Sequence, residues 1–449
     1  MKERHARMAV AAIFFLYVLY IRVYDIADTF LMLGEQTRDW AIALGGLTEL
    51  PLVGAPSTAG GRGFGPAYYW ILWFGRTLVG PFADNLPHAG GFWVALLQAI
   101  GDTSLLIVLW ARVGPFLALA MCLTIASAPF DVAISSVIWN PPVAAALIKM
   151  ATAMALSLGE TAPRWQVGVT SLIAWLAVQV HLSAAFVAAP LIAAIVTRPL
   201  LRKGPQRNWR ESARLAGMVA AIILVAQVPF FINAIREPGA PIGPTSAISS
   251  IADAGAFRID RSYVAVVNIT GELLARRIDE WPFQIPTLIA GVITVIAWRR
   301  DPSALAVSIG GLLMAAVLFA AWTRNYDSYW FLSMTTAMVL TYGLAIAAIP
   351  NRMAVNAIGA VLLAGIAWLQ PVRIDQSKAF FKYPPYRTMR IASYELAARE
   401  PVLRDIRVNF EGAHLTMDKF FIYRILGGRI DPAAPRRAFV NADGSVSIE

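Results

Sequence analysis

About eleven times between residue 8 and residue 370, the sequence runs apolar for close to the ~20 residues that an α-helix needs to cross a hydrocarbon core. A chain built this way has little freedom. In lipid every backbone N–H and C=O must find a partner within the protein, so each run reads as a helix and the whole as an all-α polytopic membrane protein. Composition agrees, because apolar residues make up 58% and charged residues 15% of 449 positions, against the ~25% charged that is usual in soluble domains. The 14 Trp and 13 Tyr suit a protein with many water–lipid boundaries, where amphipathic rings settle. The single cysteine, Cys122, falls inside an apolar run and leaves no basis for a disulfide framework or a zinc set.

Basic residues set the orientation. Met1-Lys-Glu-Arg-His-Ala-Arg7 precedes the first span, residues 8–26, and no small-residue cleavage site follows, so an uncleaved span with a cytoplasmic N-terminus is expected. Further spans cover about 91–110, 115–134, 143–160, 165–180, 182–198 and 215–235, and four more end at Arg299-Arg300, at Trp322, before Asn351-Arg352 and at Gln370. The densest basic run, Arg198 to Arg214, falls on the cytoplasmic side of this topology, as does a Lys or Arg at each inner end. The net charge of +10 is therefore a matter of membrane sidedness, and nucleic acid is not an expected partner.

The transmembrane module spans 1–370 and carries two long outer loops, 27–90 and 236–280. In the first loop, the apolar stretch from Pro66 to Phe74 reaches Gly80-Pro81 after only about 13 to 15 residues, too few to span, and reads as an interfacial helix lying on the bilayer. Counting it as a span would invert every later loop. Residues 371–449 switch to soluble composition and form a small α/β domain on the outer face, with a helix around Tyr394–Arg399, strands at Val408-Asn-Phe and Ala438-Phe-Val-Asn, and a turn at Asn441-Ala-Asp-Gly444. The expected setting is a bacterial inner membrane with this domain and the active site in the periplasm.

Polar chemistry concentrates at the outer ends. Arg38, Arg62, Arg76, Arg258, Arg261, Arg276, Arg277 and Arg324 break the positive-inside rule, and the planar fork of arginine suits a lipid phosphate. At the same level stand Glu35, Asp39, Glu49, Asp131, Asp260 and Asp327. A carboxylate there can take a proton from an attacking hydroxyl, and two together leave room for a divalent metal, although no metal ligand is assigned. Asp131, Asn140 and His181 sit at span ends from which each could face Asp39 across the bundle mouth; a lone histidine is more often a hydrogen-bonded interface residue than a metal ligand. Asp102 and Lys149 lie deep in their spans, where an unpaired charge is expensive, so they are expected to pair with each other. The sequence contains no Walker loop, dinucleotide fingerprint or HExxH motif, so soluble nucleotide chemistry has no support.

The segment Gly34-Glu-Gln-Thr-Arg-Asp39-Trp with Ala41-Ile-Ala after it, followed by Gly65-Pro-Ala-Tyr-Tyr-Trp70, resembles the acidic motif and the Pro-Pro-Leu-Tyr-Tyr-Trp segment of the GT-C membrane glycosyltransferases, the protein mannosyltransferase and aminoarabinose transferase group. Ala126-Ser-Ala-Pro129 before an outer turn and Tyr326-Asp-Ser-Tyr329-Trp-Phe-Leu at a late span are similar too. The resemblance implies a GT-C-like bundle that transfers a sugar from a polyprenyl-phosphate carrier to a glycan, lipid or protein acceptor. It implies Asp39 as the base for inverting transfer, with Asp131 as a second acidic candidate. Arg38, Arg62, Arg258, Arg261, Arg324, Tyr68, Tyr69, Asn140, His181 and Tyr326 are the implied contacts to substrate and phosphate. The chain departs from the family pattern where Asn140, in Trp-Asn-Pro-Pro, replaces the second acidic position, which favours a metal-independent mechanism because an amide is a weaker metal ligand. Two other classes compete: a lipid flippase, which asks for ionisable groups and broken helices near the midplane, and a noncatalytic assembly subunit.

Overall fold

The computed structural model describes residues 2–56, 61–159, 162–201, 208–238, 257–275, 283–322, 326–378, 386–408 and 420–449. Arg276, Arg277 and Arg324, the middle of the second long loop, and Asn409-Phe410 of the expected strand lie outside them. The chain opens with α1 (Lys2–Val23), the short α2 (Ile26–Thr29), and two helices in the first loop, α3 (Gly34–Leu44) and α4 (Ala67–Val79). Then come α5 (Pro87–Val113), α6 (Pro115–Ala126), α7 (Pro129–Ile134), α8 (Asn140–Ser157), α9 (Arg164–Val180), α10 (Ala185–Thr197) and α11 (Trp209–Arg236). Later helices run over Ile259–Ala275, Gln284–Trp298, Gly311–Phe319, Leu332–Ala347 and Arg352–Lys378. Every expected span is met by helix. Among the described residues, 7 helical segments are long and apolar enough to cross a membrane, fewer than the about eleven spans expected, while α6 and Gln284–Trp298 are apolar but shorter.

Helix starts follow proline. Pro87, Pro115, Pro129 and Pro141 all sit in a first turn, where the missing N–H costs nothing and the fixed φ suits helix entry. Pro129 also disfavours helical geometry at the residue before it, and the expected third span is accordingly broken at Ser127-Ala128 into α6 and α7. Two arginines satisfy the carbonyls this break frees. Arg22 of α1 donates to Ala126 O (3.0 Å), and Arg373 donates to Thr124 O and Ser127 O (2.9 Å each). Arg373 belongs to the last long helix, which continues through Pro371 to Lys378 instead of closing at Gln370.

Helix α5 forms the centre of the bundle and touches α1, α4, α6 and α8. Its crossing with α8 is close because Gly101 has no Cβ; an added one would sit 2.9 Å from Ala146 O and 3.0 Å from Lys149 Cβ. Beside this crossing lies the pair expected from sequence, Lys149 Nζ to Asp102 Oδ1 at 2.8 Å. It is half of a larger cluster, since Arg22 bonds both Asp102 (2.7 Å) and Asp131 (2.6 Å), and Lys149 lies 3.4 Å from Asp131. All four residues are buried, and two cations balance two anions. Gln98 Oε1 and Ser135 Oγ accept further bonds from Lys149 and Arg22.

The C-terminal residues form the expected small α/β unit. Tyr386–Arg399 is its main helix; β1 (Val402–Leu403) pairs in parallel with β3 (Arg429–Ile430), and β2 (Asp405–Val408) pairs in parallel with β4 (Arg437–Val440). An antiparallel hairpin joins β4 to β5 (Val446–Ile448) through a turn in which Gly444 takes φ +87°, a conformation open to glycine. The unit docks on the first loop. Arg390 pairs with Asp28 of α2 (2.6 Å), the Tyr386 hydroxyl meets His88 Nδ1 (3.0 Å), and Tyr394 bonds Asp84.

Candidate active site

Helix α4 explains how a loop segment can be anchored in a membrane protein and still hold polar chemistry. Trp70, Phe74 and Leu78, spaced one helical turn apart, are exposed on one face, whereas Tyr68, Tyr69 and Leu72 are buried on the other. The apolar stripe is what an interfacial helix presents to lipid, and it turns both phenols inward toward α3. There they meet Asp39, which is 1% exposed.

Three donors hold the Asp39 carboxylate. Arg38 Nε donates to Oδ1 at 2.8 Å, the Tyr69 hydroxyl donates to Oδ1 at 3.1 Å, and the Tyr68 hydroxyl donates to Oδ2 at 3.1 Å. Burial and the adjacent carboxylate push the Tyr69 phenol above its ordinary range, so it stays protonated and donates at neutral pH. A carboxylate offers about four lone-pair directions; three are filled, and the one left is on Oδ2. Arg38 spends its Nε on Asp39 while its side chain remains 37% exposed, which leaves the other guanidinium N–H groups for an anion. Next to Asp39 on α3, Trp40 is buried and donates from its indole nitrogen to Asn85 O (2.7 Å), fixing α3 against the start of α5.

Arg62 lies close enough to Tyr69 to act on its charge, and its Nε is bonded to Gly54 O at 3.2 Å. Its loop is pinned to the bundle by two glutamines that sequence reading passed over. Gln179 of α9 donates to Gln227 of α11, and Gln227 donates to Phe64 O at 3.0 Å. Glycine permits the close approach, because a Cβ on Gly65 would fall 2.5 Å from the Gln179 side chain.

A second cluster gathers at the C-terminal end of α9. Asn140 Nδ2 donates to Val180 O (3.2 Å), and His181 Nδ1 meets Ser183 Oγ (2.7 Å). Tyr329 packs its ring against Trp139 (centroids 4.7 Å apart) and His181 (5.9 Å), and its hydroxyl donates to Asp327 (3.1 Å). Burial holds the His181 imidazole down at about 4, so it is neutral at physiological pH. Tyr326 packs on Phe319 and Phe331, within electrostatic reach of Arg261.

Other expected site residues fall elsewhere. Asp131 bonds Arg22 and lies beside Lys149 in the buried cluster, and it shares no partner with Asp39. Its placement follows from the α6–α7 break, which turns the short helix inward. Arg258 is committed to an exposed pair with Asp260 at 3.0 Å. Arg22 was missed because a single arginine near the end of a span reads as a flank. Among the described residues no three His, Cys, Asp or Glu side chains converge as a metal set.

No protein-family model and no curated protein matches the chain. Among solved structures, the chain is similar to ArnT from Cupriavidus metallidurans bound to undecaprenyl phosphate, with 15% identity and a TM-score of 0.55 over 96% of this chain and 86% of that one. The apo structure of the same protein gives 13% identity and a TM-score of 0.54, over 96% and 92% of the two chains. This is a GT-C-like fold. The likeness covers both the transmembrane bundle and the C-terminal unit, so the GT-C-like architecture includes the docked α/β domain.

Proposed function

We propose that this protein is a glycosyltransferase that moves a sugar from a polyprenyl-phosphate carrier to an acceptor hydroxyl at the end of the bundle carrying α3 and α4. The observation that carries the proposal is Asp39: a buried carboxylate held by Arg38, Tyr68 and Tyr69 in a GT-C-like fold, with a single lone pair of Oδ2 unfilled. That lone pair accepts the acceptor's proton as its oxygen attacks the anomeric carbon. The carrier phosphate departs toward the unspent N–H groups of Arg38, with Arg62 nearby. Single displacement on the face opposite the phosphate inverts the anomeric centre.

A phosphate already anchored in the bilayer is a good leaving group. The protein therefore needs mainly a base, cationic contacts and a cavity open to both lipid and water. Because Asp39, Tyr68 and Tyr69 are all buried, entry of the acceptor requires the first loop to shift. We assign no metal to the reaction. The α3–α4 end faces the periplasm of a bacterial inner membrane, because the opposite end carries Arg112, Arg164, Arg198, Arg214, Arg299 and Arg300.

A lipid transporter is the second reading, and one observation favours it: the helix break at Ser127-Ala128 lies against a buried cluster of four charges. The cluster is internally neutral and its members are spent on one another, as a structural lock requires. Reconstitution with undecaprenyl-phosphate sugars separates the readings. Transfer by the wild type that is lost in Asp39→Asn supports the enzyme. Movement of lipid across vesicles without transfer supports the transporter.

A further inference from the structure

The densest basic run of the chain, Arg198 to Arg214, enters neither cluster described above, yet it borders a cavity at the opposite end of the bundle. The cavity holds about 50 Å³ and is partly open. Val167 of α9, Ile195 of α10, Pro199 and Leu215 of α11 give it buried apolar walls, whereas Arg198 and Glu211 line it with charge. Ala162 stands at its edge, in the connection from α8 to α9. Ser212 Oγ donates to Val196 O (2.7 Å) and Asn208 N to Pro199 O (3.1 Å), so the start of α11 is fixed against the end of α10.

The charge around this cavity suits an anion. Arg164 Nε and Nη2 reach the two oxygens of Glu211 at 3.1 and 2.9 Å, and Arg214 Nη1 lies 3.9 Å from the same carboxylate. Glu211 is met by cations and gathers them at the cavity, so it does not leave a bare negative charge there. By sequence, residues 158–167 and 198–215 carry seven Lys or Arg against Glu160 and Glu211 alone. Helices α9 and α11 both begin at this end, and the positive ends of their dipoles add to the same field. Its level in the bilayer is marked by Trp165 and Trp209, in the first turns of α9 and α11, which are 65% and 68% exposed. Such rings settle among lipid headgroups.

We infer that this cavity binds the phosphate of an anionic phospholipid, with Arg198 as the contact in its wall and Arg164 and Arg214 at its rim. In the orientation proposed above the lipid belongs to the cytoplasmic leaflet, where basic pockets between helices meet anionic headgroups. The small cavity takes the polar end of the headgroup, and the acyl chains stay in the bilayer. A lipid held there ties α9, α10 and α11 together at the inner boundary. The inference is independent of the chemistry proposed at Asp39. Free phosphate shares the recognised group, and one experiment separates the two sources.

Purified full-length protein in neutral detergent is titrated calorimetrically with dihexanoyl phosphatidylglycerol, with dihexanoyl phosphatidylcholine and with inorganic phosphate. The variants are Arg198→Gln, which removes a charge from the wall, and Ala162→Leu, which narrows the cavity and leaves every charge in place. Arg299→Gln removes one exposed charge from the same end of the bundle away from the cavity, and Arg38→Gln removes one from the α3–α4 end. The expected result is that the wild type binds phosphatidylglycerol about ten-fold more tightly than either other probe. Arg198→Gln and Ala162→Leu each weaken that binding about ten-fold, the loss of one hydrogen bond to a charged group. Arg299→Gln and Arg38→Gln leave it unchanged. The inference is overturned if phosphatidylcholine binds as tightly as phosphatidylglycerol, or if Arg299→Gln or Arg38→Gln weakens binding as much as Arg198→Gln. It is equally overturned if Ala162→Leu binds like the wild type, since attraction to surface charge alone needs no cavity. Inorganic phosphate binding as tightly as phosphatidylglycerol would overturn the lipid and make the ligand free phosphate.

Discussion

At the scale of single residues, the site depends on how the Asp39 lone pairs are shared. Tyr68→Phe would free the oxygen proposed to take the proton, and Tyr69→Phe the oxygen already held by Arg38. Each removes a hydrogen bond to a charged group worth about 1.5–3 kcal/mol. Both variants are expected to lose stability, read as a lower Tm, while retaining measurable transfer, because neither removes the carboxylate. Arg38→Lys keeps the charge but cannot contact Asp39 and a phosphate at once from a planar fork. Its affinity for undecaprenyl phosphate is expected to fall about ten-fold, roughly 1.4 kcal/mol, in a titration on nanodiscs; unchanged affinity would remove Arg38 from the phosphate side. These residues were legible in the sequence because they are local: Arg38 and Asp39 are adjacent, and Tyr68-Tyr69 form a dipeptide in a short apolar stretch. His181 and Asn140 were legible as span-end residues, but their neighbour Tyr329 comes from a span almost 150 positions later, a convergence that no local pattern discloses.

At the scale of elements, the four-charge cluster ties α1, α5, α7 and α8 together. Removing one member strands a buried charge, at a cost of about 3–5 kcal/mol, whereas removing an opposite pair leaves the remaining two balanced. Lys149→Met is therefore expected to lower Tm more than the double variant Lys149→Met/Asp102→Asn; equal losses would mean that the charges do not act as a unit. Close packing makes a second prediction. A Cβ at Gly91 would lie 2.2 Å from Ser136 O and 2.7 Å from the Phe30 ring, and backbone cannot yield as a flexible side chain can. Gly91→Ala should cost about 1–3 kcal/mol of stability in thermal melts, the usual penalty for overpacking. The Asp102–Lys149 pair could be read from the expense of charge in lipid. The participation of Arg22 and Asp131 could not, because it depends on the Ser127-Ala128 break carrying α7 inward.

At the scale of the whole molecule, hydrophobic run lengths located the expected spans but not Ile259–Ala275, a helix inside the expected second outer loop that packs on Gly311–Phe319 and Leu332–Ala347, whereas the change of composition after the last span sufficed for the C-terminal unit. What they did not disclose is where that unit rests. Its contacts with Asp28, Asp84 and His88 join positions about 300 or more residues apart. Arg390→Ala should loosen the docking and speed amide exchange across Tyr386–Arg399 without changing the bundle. Orientation can be tested cleanly because Cys122 is buried and is the only cysteine. Phe82, which is 90% exposed, and Trp209, 68% exposed, lie toward opposite ends of the bundle. In intact cells an impermeant maleimide should label Phe82→Cys and spare Trp209→Cys, and the reverse would invert the topology. The central claim, however, is that Asp39 is the base. Its most direct test is transfer from undecaprenyl-phosphate sugar by wild-type and Asp39→Asn protein in the same nanodiscs, with undecaprenyl phosphate binding measured alongside. The account predicts that the variant binds the carrier but transfers at least about 10²-fold more slowly, as expected for loss of a general base; transfer at the wild-type rate would contradict it.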